Sequence, residues 1–292
     1  MKYPVSVWLP YFTNLPVREA ISHLTKAGFF HGELSTEHYR EMMACGDPVI
    51  AGNTLRQYAD SVGYTLYQGH LTFHGGLCDD AAIERLKPEV DMFAAAGIRK
   101  AVIHVNGGME LTPEERYDRR VRYLRKLAEY VDGSGLTLCV ENVPALPESN
   151  DAAKIKKMIR DAGSKNLGIC LDTGHLHITR TRGETEETFR DFILSAGDLL
   201  QALHITDNNG TEDTHQMPFS ARRGVEWQEV MLALKEIDYK GIFNLEIIGE
   251  RYAPLAIKLA KLDFIRKMCD YMMSDEFLEL DTASYLPPME KR

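Results

Sequence analysis

Between Leu136 and Asn208 lie three apolar runs of similar build: LTLCVEN (Leu136–Asn142), LGICLDT (Leu167–Thr173) and ALHITDN (Ala202–Asn208). Each is continuous and β-branched-rich, and each carries an acid or a histidine toward its C-terminal end. Glu141 to Asp172 is 31 residues and Asp172 to His204 is 32, the length of one strand followed by one helix. Strands that are apolar throughout and separated by helices imply a parallel sheet covered on its outer side.

The same alternation extends over the rest of the chain. Further strand-like runs are PVSVWL from Pro4, FFHGELS from Phe29, YTLYQGH from Tyr64, KAVIHVN from Lys100 and FNLEIIG from Phe243, which makes eight. Helix-like patterns lie between them, among them LPVREAISHLTKAG, DAAIERLKPEVDMFAAAG, ERYDRRVRYLRKLAEYVDGSG and VEWQEVMLALKEIDYKG. Several end in Gly just before the next strand, where a left-handed cap stops a helix. Eight such units predict an α/β fold of the (β/α)8 TIM barrel type. A doubly wound open sheet is the alternative, but it usually carries a glycine-rich turn after its first strand, where this chain reads WLPYFTNLP from Trp8. One barrel domain over residues 1–292 is expected, with a C-terminal extension from Ser274 to Arg292 that leaves the alternation and packs outside the barrel, across it or against a neighbouring subunit.

Bulk properties narrow the function. The chain has 292 residues, 44% hydrophobic and 26% charged, with ample material for a core. No apolar run approaches the roughly 20 residues of a membrane span, and the N-terminal MKYPVSVWLPYFTNLP is too broken by Pro and polar residues for an export signal, so a cytoplasmic location is the default. Five cysteines, an odd number and far apart, fit a reducing compartment; Cys139 and Cys170 fall inside strand-like runs and read as buried thiols. A net charge of -9 disfavours nucleic acid and anionic membrane and suits a small neutral or metal-chelated partner.

In a barrel the C-terminal strand ends face one mouth. Strand 2 brings Glu33 there; strand 3 His70, with His74 behind it; strand 4 His104 and Asn106; strand 5 Glu141 and Asn142; strand 6 Asp172 with His175 and His177; strand 7 His204 and Asp207; strand 8 Glu246. Glu141, Asp172, His204 and Glu246 can share one level. Three carboxylates and an imidazole make a hard, mostly oxygen site for one divalent metal: Mn, Mg, Co or Zn. Taken singly, Asp172 or Asp207 reads as a helix N-cap, His104 as a core histidine, and His74 and His177 as loop groups. His23, His31 and His38 belong on helices or at the wrong end of a strand. Four such groups on four strand ends at the face where barrels keep their chemistry are poorly explained one by one.

The motifs ENVP at Glu141, LDTGHLHI at Leu171, LHITDN at Leu203, DTHQMPF at Asp213 followed by GVEW at Gly224, and FNLEI at Phe243 together resemble the sugar phosphate isomerase/epimerase family of xylose isomerase-like barrels. The resemblance runs in order over nearly the whole chain. It implies that Glu141, Asp172, His204 and Glu246 bind the metal and that His175 contacts a substrate oxygen. It further implies a sugar or sugar phosphate isomerised or epimerised through a metal-stabilised enediolate, with Glu141 and Glu246 as the acid/base pair. His70, His104, Asp213, His215, Glu33 and Arg223 are expected to contact substrate.

One departure matters. Ketose 3-epimerases carry an Arg shortly after the strand 7 histidine, whereas this chain has Asn208, Asn209 and Gly210, followed by the pair Asp213 and His215. That pair also occurs in the related AP endonucleases, and with His70, His104 and His175 it resembles their three-zinc cluster, so a multi-zinc phosphodiesterase is the alternative. The loops STEHYREMMACGDP and HLTFHGGLCDD are acidic or neutral and lack the basic and wedge residues a duplex needs. Arg222 and Arg223 suit a sugar phosphate or acidic sugar, or else a solvated helix start. A non-catalytic sugar- or metal-binding barrel is the third reading. Homo-oligomers would form through the outer helices or the tail.

Overall fold

In a computed structural model, which describes residues 2–44, 46–72, 76–250 and 252–281, all eight expected strands form. They are β1 (Val5–Val7), β2 (His31–Leu34), β3 (Thr65–His70), β4 (Lys100–Ile103), β5 (Thr137–Glu141), β6 (Leu167–Asp172), β7 (Leu200–His204) and β8 (Phe243–Leu245). Every ladder is parallel, in the order β7-β6-β5-β4-β3-β2-β1-β8. The ring is nearly closed: β7 and β8 meet through the bridge Ile205↔Leu245, where Ile205 N donates to Asn244 O at 2.8 Å and Glu246 N to Ile205 O at 3.2 Å.

The four quoted helical patterns appear as Val17–Lys26, Asp80–Ala96, Pro113–Tyr130 and Trp227–Glu236. Gly97 and Gly163 cap their helices in the left-handed region at φ 80° and 70°. The helix Trp227–Glu236 departs from this pattern: Asp238, at φ 54°, makes the left-handed turn in place of the expected Gly241. Asp is one of the few side chains that tolerates the conformation.

Register carries the site. Asp172 pairs with His204, and Glu141 with Cys170 one ladder away, so the strand ends of β5, β6 and β7 lie level. Inside the barrel the lining divides. Val102, Cys139, Cys170 and Ala202 make a small apolar cluster across β4 to β7. On the other side Ser6, Glu33, Gln68 and Asn244 are wholly buried and bonded to one another. The expectation of uniformly apolar strands therefore fails for β1, β2, β3 and β8, and the polar half lies directly under the mouth.

Among the described residues Cys78, Cys139, Cys170 and Cys269 are free and buried, and no helix is long and apolar enough to cross a membrane. Cys45 and His74 lie outside the described residues. The first part of the C-terminal extension forms the short helix Asp275–Leu278, with Phe277 and Leu278 buried. Gln228 Nε2 holds it by donating to the carbonyls of Phe277, Leu278 and Leu280 at 3.1, 3.1 and 2.7 Å. That much of the extension packs on its own chain's outer helices; residues 282–292 lie outside the described ones.

Gly69, next to His70 on β3, lets the buried ring of Phe93 close on the strand, because a Cβ there would come within 2.6 Å of it. Gly69→Ala should lower stability by about 1–3 kcal/mol through overpacking, read as a shift in the urea midpoint.

Candidate metal centre

Asp172 closes β6 and opens the helix Thr173–Thr181. Its Oδ1 accepts from His175 N at 2.6 Å, so the N-cap reading holds. The N-cap uses only one oxygen. Oδ2 is buried with no partner, in a residue that is 0% exposed. Asn142 fixes this strand end from the neighbouring one: its Oδ1 accepts from Asp172 N at 2.7 Å and its Nδ2 donates to Asp172 O at 3.0 Å.

Around Asp172, single ligand atoms of Glu141, His204 and Glu246 all lie within 4.8 Å of one another and of Asp172. His204 Nδ1 stands 3.1 Å from Glu141 Oε1 and 3.3 Å from Glu246 Oε2. A buried carboxylate oxygen without a donor, beside two further carboxylates, is costly unless a cation is supplied. The donor set fits one divalent metal held by Glu141, Asp172, His204 and Glu246.

More groups converge than one metal needs. Glu141 Oε2 lies 2.8 Å from His104 Nε2 and 3.3 Å from His70 Nε2, and these three form a second group able to hold a cation. Glu141 Oε1 also meets His175 Nδ1 at 3.2 Å. On the other side Asp213 Oδ2 lies 3.2 Å from both His175 Nε2 and His215 Nε2. His215, at φ 46°, stacks on Trp8 with centroids 5.4 Å apart, and Trp8 Nε1 donates to Ile247 O at 2.7 Å.

The electrostatics follow from burial. Burial pushes Asp172 up to about 8, with the Glu141, Glu246 and Asp213 carboxylates adding to the rise against the opposing His175. Burial would likewise raise Glu141, but the His204 and His104 imidazoles outweigh it and hold Glu141 well below the usual range. Burial alone would lower His70 and His215; facing carboxylates, Glu141 for one and Glu246 and Asp213 for the other, raise them instead to about 9 and about 10. His204 and His175 are raised well above the ordinary value in the same way, against burial. His104 is the exception, lowered because burial prevails over Glu141. The site is a negative field that takes up protons where no metal cation is present.

The sequence-derived candidates sort accordingly. Glu141, Asp172, His204, Glu246, His70, His104, His175, Asp213 and His215 come together. Glu33 does not reach the mouth: it is 0% exposed and lies behind His204, with Oε2 2.9 Å from His204 Nε2, because β2 turns it into the barrel. Arg223 is exposed on the loop before Trp227, with φ 58°. Asp207 is a loop anchor, accepting from Asn208 N, Val225 N and Trp227 Nε1 at 2.9, 3.0 and 3.3 Å. Gly224 permits this, since a Cβ there would fall 2.2 Å from Asp207 Oδ1. His177 is buried beside that loop. Sequence reasoning missed Ser6, Gln68, Asn244 and Trp8. The first three were signalled by polar residues in the middle of apolar strand runs.

The profile described as "Xylose isomerase-like TIM barrel" matches residues 51–268. The chain belongs to that family. Among curated relatives of this xylose isomerase-like barrel, D-psicose 3-epimerase of Agrobacterium fabrum (strain C58) is 26% identical over 241 residues, 77% of each chain. Among solved structures, L-ribulose 3-epimerase superposes with a TM-score of 0.75 at 19% identity, covering 93% of this chain and 95% of that one. The 3-keto-D-glucoside 4-epimerase of E. coli superposes at 0.73 with 16% identity, covering 91% and 100%.

The raised groups fix the sign of a pH effect. A histidine whose folded pKa exceeds 6.5 contributes stability that is complete below 6.5 and is lost as pH rises through its folded value; for His70 and His215 that is about 9 and about 10. Asp172 acts in the same direction, its contribution fading between 3.8 and about 8. Chelator-treated protein should therefore show a falling thermal midpoint from pH 6.5 to 10 by differential scanning fluorimetry.

Proposed function

We propose that this xylose isomerase-like barrel is a divalent-metal-dependent sugar epimerase or isomerase. The observation that carries the reading is the level set Glu141, Asp172, His204 and Glu246 with the unpartnered Asp172 Oδ2. The family and its epimerase relatives support the reaction class. Mn, Mg, Co or Zn would suit the donors, and when bound would stabilise the negative charge that develops on a sugar's carbonyl and neighbouring hydroxyl oxygens.

The chain's own groups supply the rest. Glu141 and Glu246 flank His204 Nδ1 from two strands, β5 and the end of β8, and act as the pair that removes a proton from the carbon beside the carbonyl and returns one. Return on the opposite face of that carbon gives an epimer; return to the neighbouring carbon gives an isomer. His175, held by Asn142 O and Asp213, presents its ring to a substrate oxygen. Asp213 and His215 occupy the loop that follows Asn208, Asn209 and Gly210, and they take up substrate contacts there. A sugar is the partner, and a cytoplasmic location and a homo-oligomer are part of the proposal.

Glu246→Gln should cut solvent-proton exchange at the carbon beside the carbonyl of a turned-over ketose by about 10²–10⁴-fold, followed by NMR in D2O. Exchange that survives the substitution excludes Glu246 from proton transfer.

A second reading rests on a specific observation. His70, His104 and Glu141 form a second group able to hold a cation, and Asp213 Oδ2 lies 3.2 Å from both His175 and His215, so the mouth offers more donors than one cation uses. Such a cluster suits hydrolysis of a phosphodiester. The count of metals per chain separates the two readings: anomalous scattering from a metal-loaded crystal should give one peak among Glu141, Asp172, His204 and Glu246. Additional peaks at His70/His104 and at Asp213/His215 favour phosphodiester cleavage.

A further inference from the structure

Glu33 was expected at the mouth and is found beneath it. Its Oε2 is the meeting point of three donors from three strands: His204 Nε2 of β7 at 2.9 Å, Asn244 Nδ2 of β8 at 3.0 Å and Gln68 Nε2 of β3. Each donor except His204 is itself held. Gln68 Nε2 also lies 3.3 Å from Leu203 O, and Asn244 Oδ1 accepts from Ser6 Oγ at 2.7 Å. Glu33 Oε1, by contrast, is buried with no partner. All these residues are 0% exposed, so bulk water cannot take over the role.

We infer that Glu33, clamped by Gln68 and Asn244, is a positioning residue for metal binding: it holds His204 with a proton on Nε2 and thereby aims the Nδ1 lone pair into the Glu141–Asp172–Glu246 level. The inference rests on the proposed metal site and adds a component that touches neither metal nor substrate. The two ring nitrogens of a histidine are distinguished by the hydrogen bond that one of them makes. In this structure Nε2 meets Glu33 while Nδ1 meets Glu141 and Glu246, on the opposite edge of the ring. Without Glu33 the Nε2 edge of this ring would lose the partner that fixes its tautomer and orientation, and settling both would then cost free energy at each binding event. The clamp pays that cost in advance, during folding.

Two conservative changes separate position from charge. Glu33→Gln keeps an oxygen where the three donors meet and puts its NH2 where Oε1 has no partner. Glu33→Asp keeps the charge but shortens the side chain by one methylene and withdraws the oxygen from His204. Mn2+ affinity is measured by isothermal titration calorimetry on the chelator-stripped full-length protein, with circular dichroism to check folding. Positioning predicts less than tenfold weakening for Glu33→Gln and about 10–100-fold for Glu33→Asp. The thermal midpoint of the metal-free protein should not follow that order, whereas a purely structural role would change the midpoint and leave the Mn2+ affinity alone. Parent-like Mn2+ binding by Glu33→Asp, or a loss in Glu33→Gln equal to or greater than that in Glu33→Asp, overturns the role of Glu33. A parent protein that binds no Mn2+ overturns the proposed function itself, and this inference with it.

Discussion

Burial of like charge is the constraint on which the rest of the structure depends. Glu141, Asp172, Glu246 and Glu33 lie in a space nearly shut off from water. Carboxylates so placed repel one another and lose solvation, and only opposite charge or directed donors can hold them. The imidazoles of His70, His104, His175, His204 and His215 meet part of that demand. Asp172 Oδ2 and Glu33 Oε1 remain without a partner; of the two residues only Asp172 belongs to the level set with Glu141, His204 and Glu246, and there the open oxygen suits a cation better than a self-satisfied ion-pair network.

The backbone makes such a cluster affordable by locating the charges at strand ends. Parallel ladders with level register deliver Glu141, Asp172 and His204 from three successive strands with no loop to order. The Asn142 amide ties two of those strands across their ends, and the start of the helix Thr173–Thr181 gives Asp172 Oδ1 a backbone donor. The apolar cluster of Val102, Cys139, Cys170 and Ala202 and the buried polar group of Ser6, Gln68 and Asn244 then support the same floor from opposite sides.

The fold was legible because it is written in repetition: eight apolar runs one strand-plus-helix unit apart leave few parallel architectures. The cluster was legible for the same reason, since a residue at the end of such a run has one direction to face. What escaped was orientation inside the barrel. Glu33 sits in FFHGELS much as Glu141 sits in LTLCVEN, yet it turns inward under His204, and period-two alternation in a run of only four paired residues does not fix which face its acid takes. Gln68 and Asn244 drew no notice in the sequence because their partner, Glu33, is distant along the chain. The position of Arg223 could not be read at all, because the course of a long loop is not set by periodicity.

The closure between β7 and β8 has a mechanical consequence. Glu141, Asp172 and His204 end three successive laddered strands, while Glu246 follows the three-residue β8, which is laddered to β1 over three residue pairs and joined to β7 through one bridge. Three of the four candidate ligands thus share one continuous ladder, and the fourth enters from across the seam. The ladder fixes the spacing of the other three directly, whereas the distance from Glu246 to them is set by the closure of the barrel, so the geometry of the whole set depends on how the ring shuts.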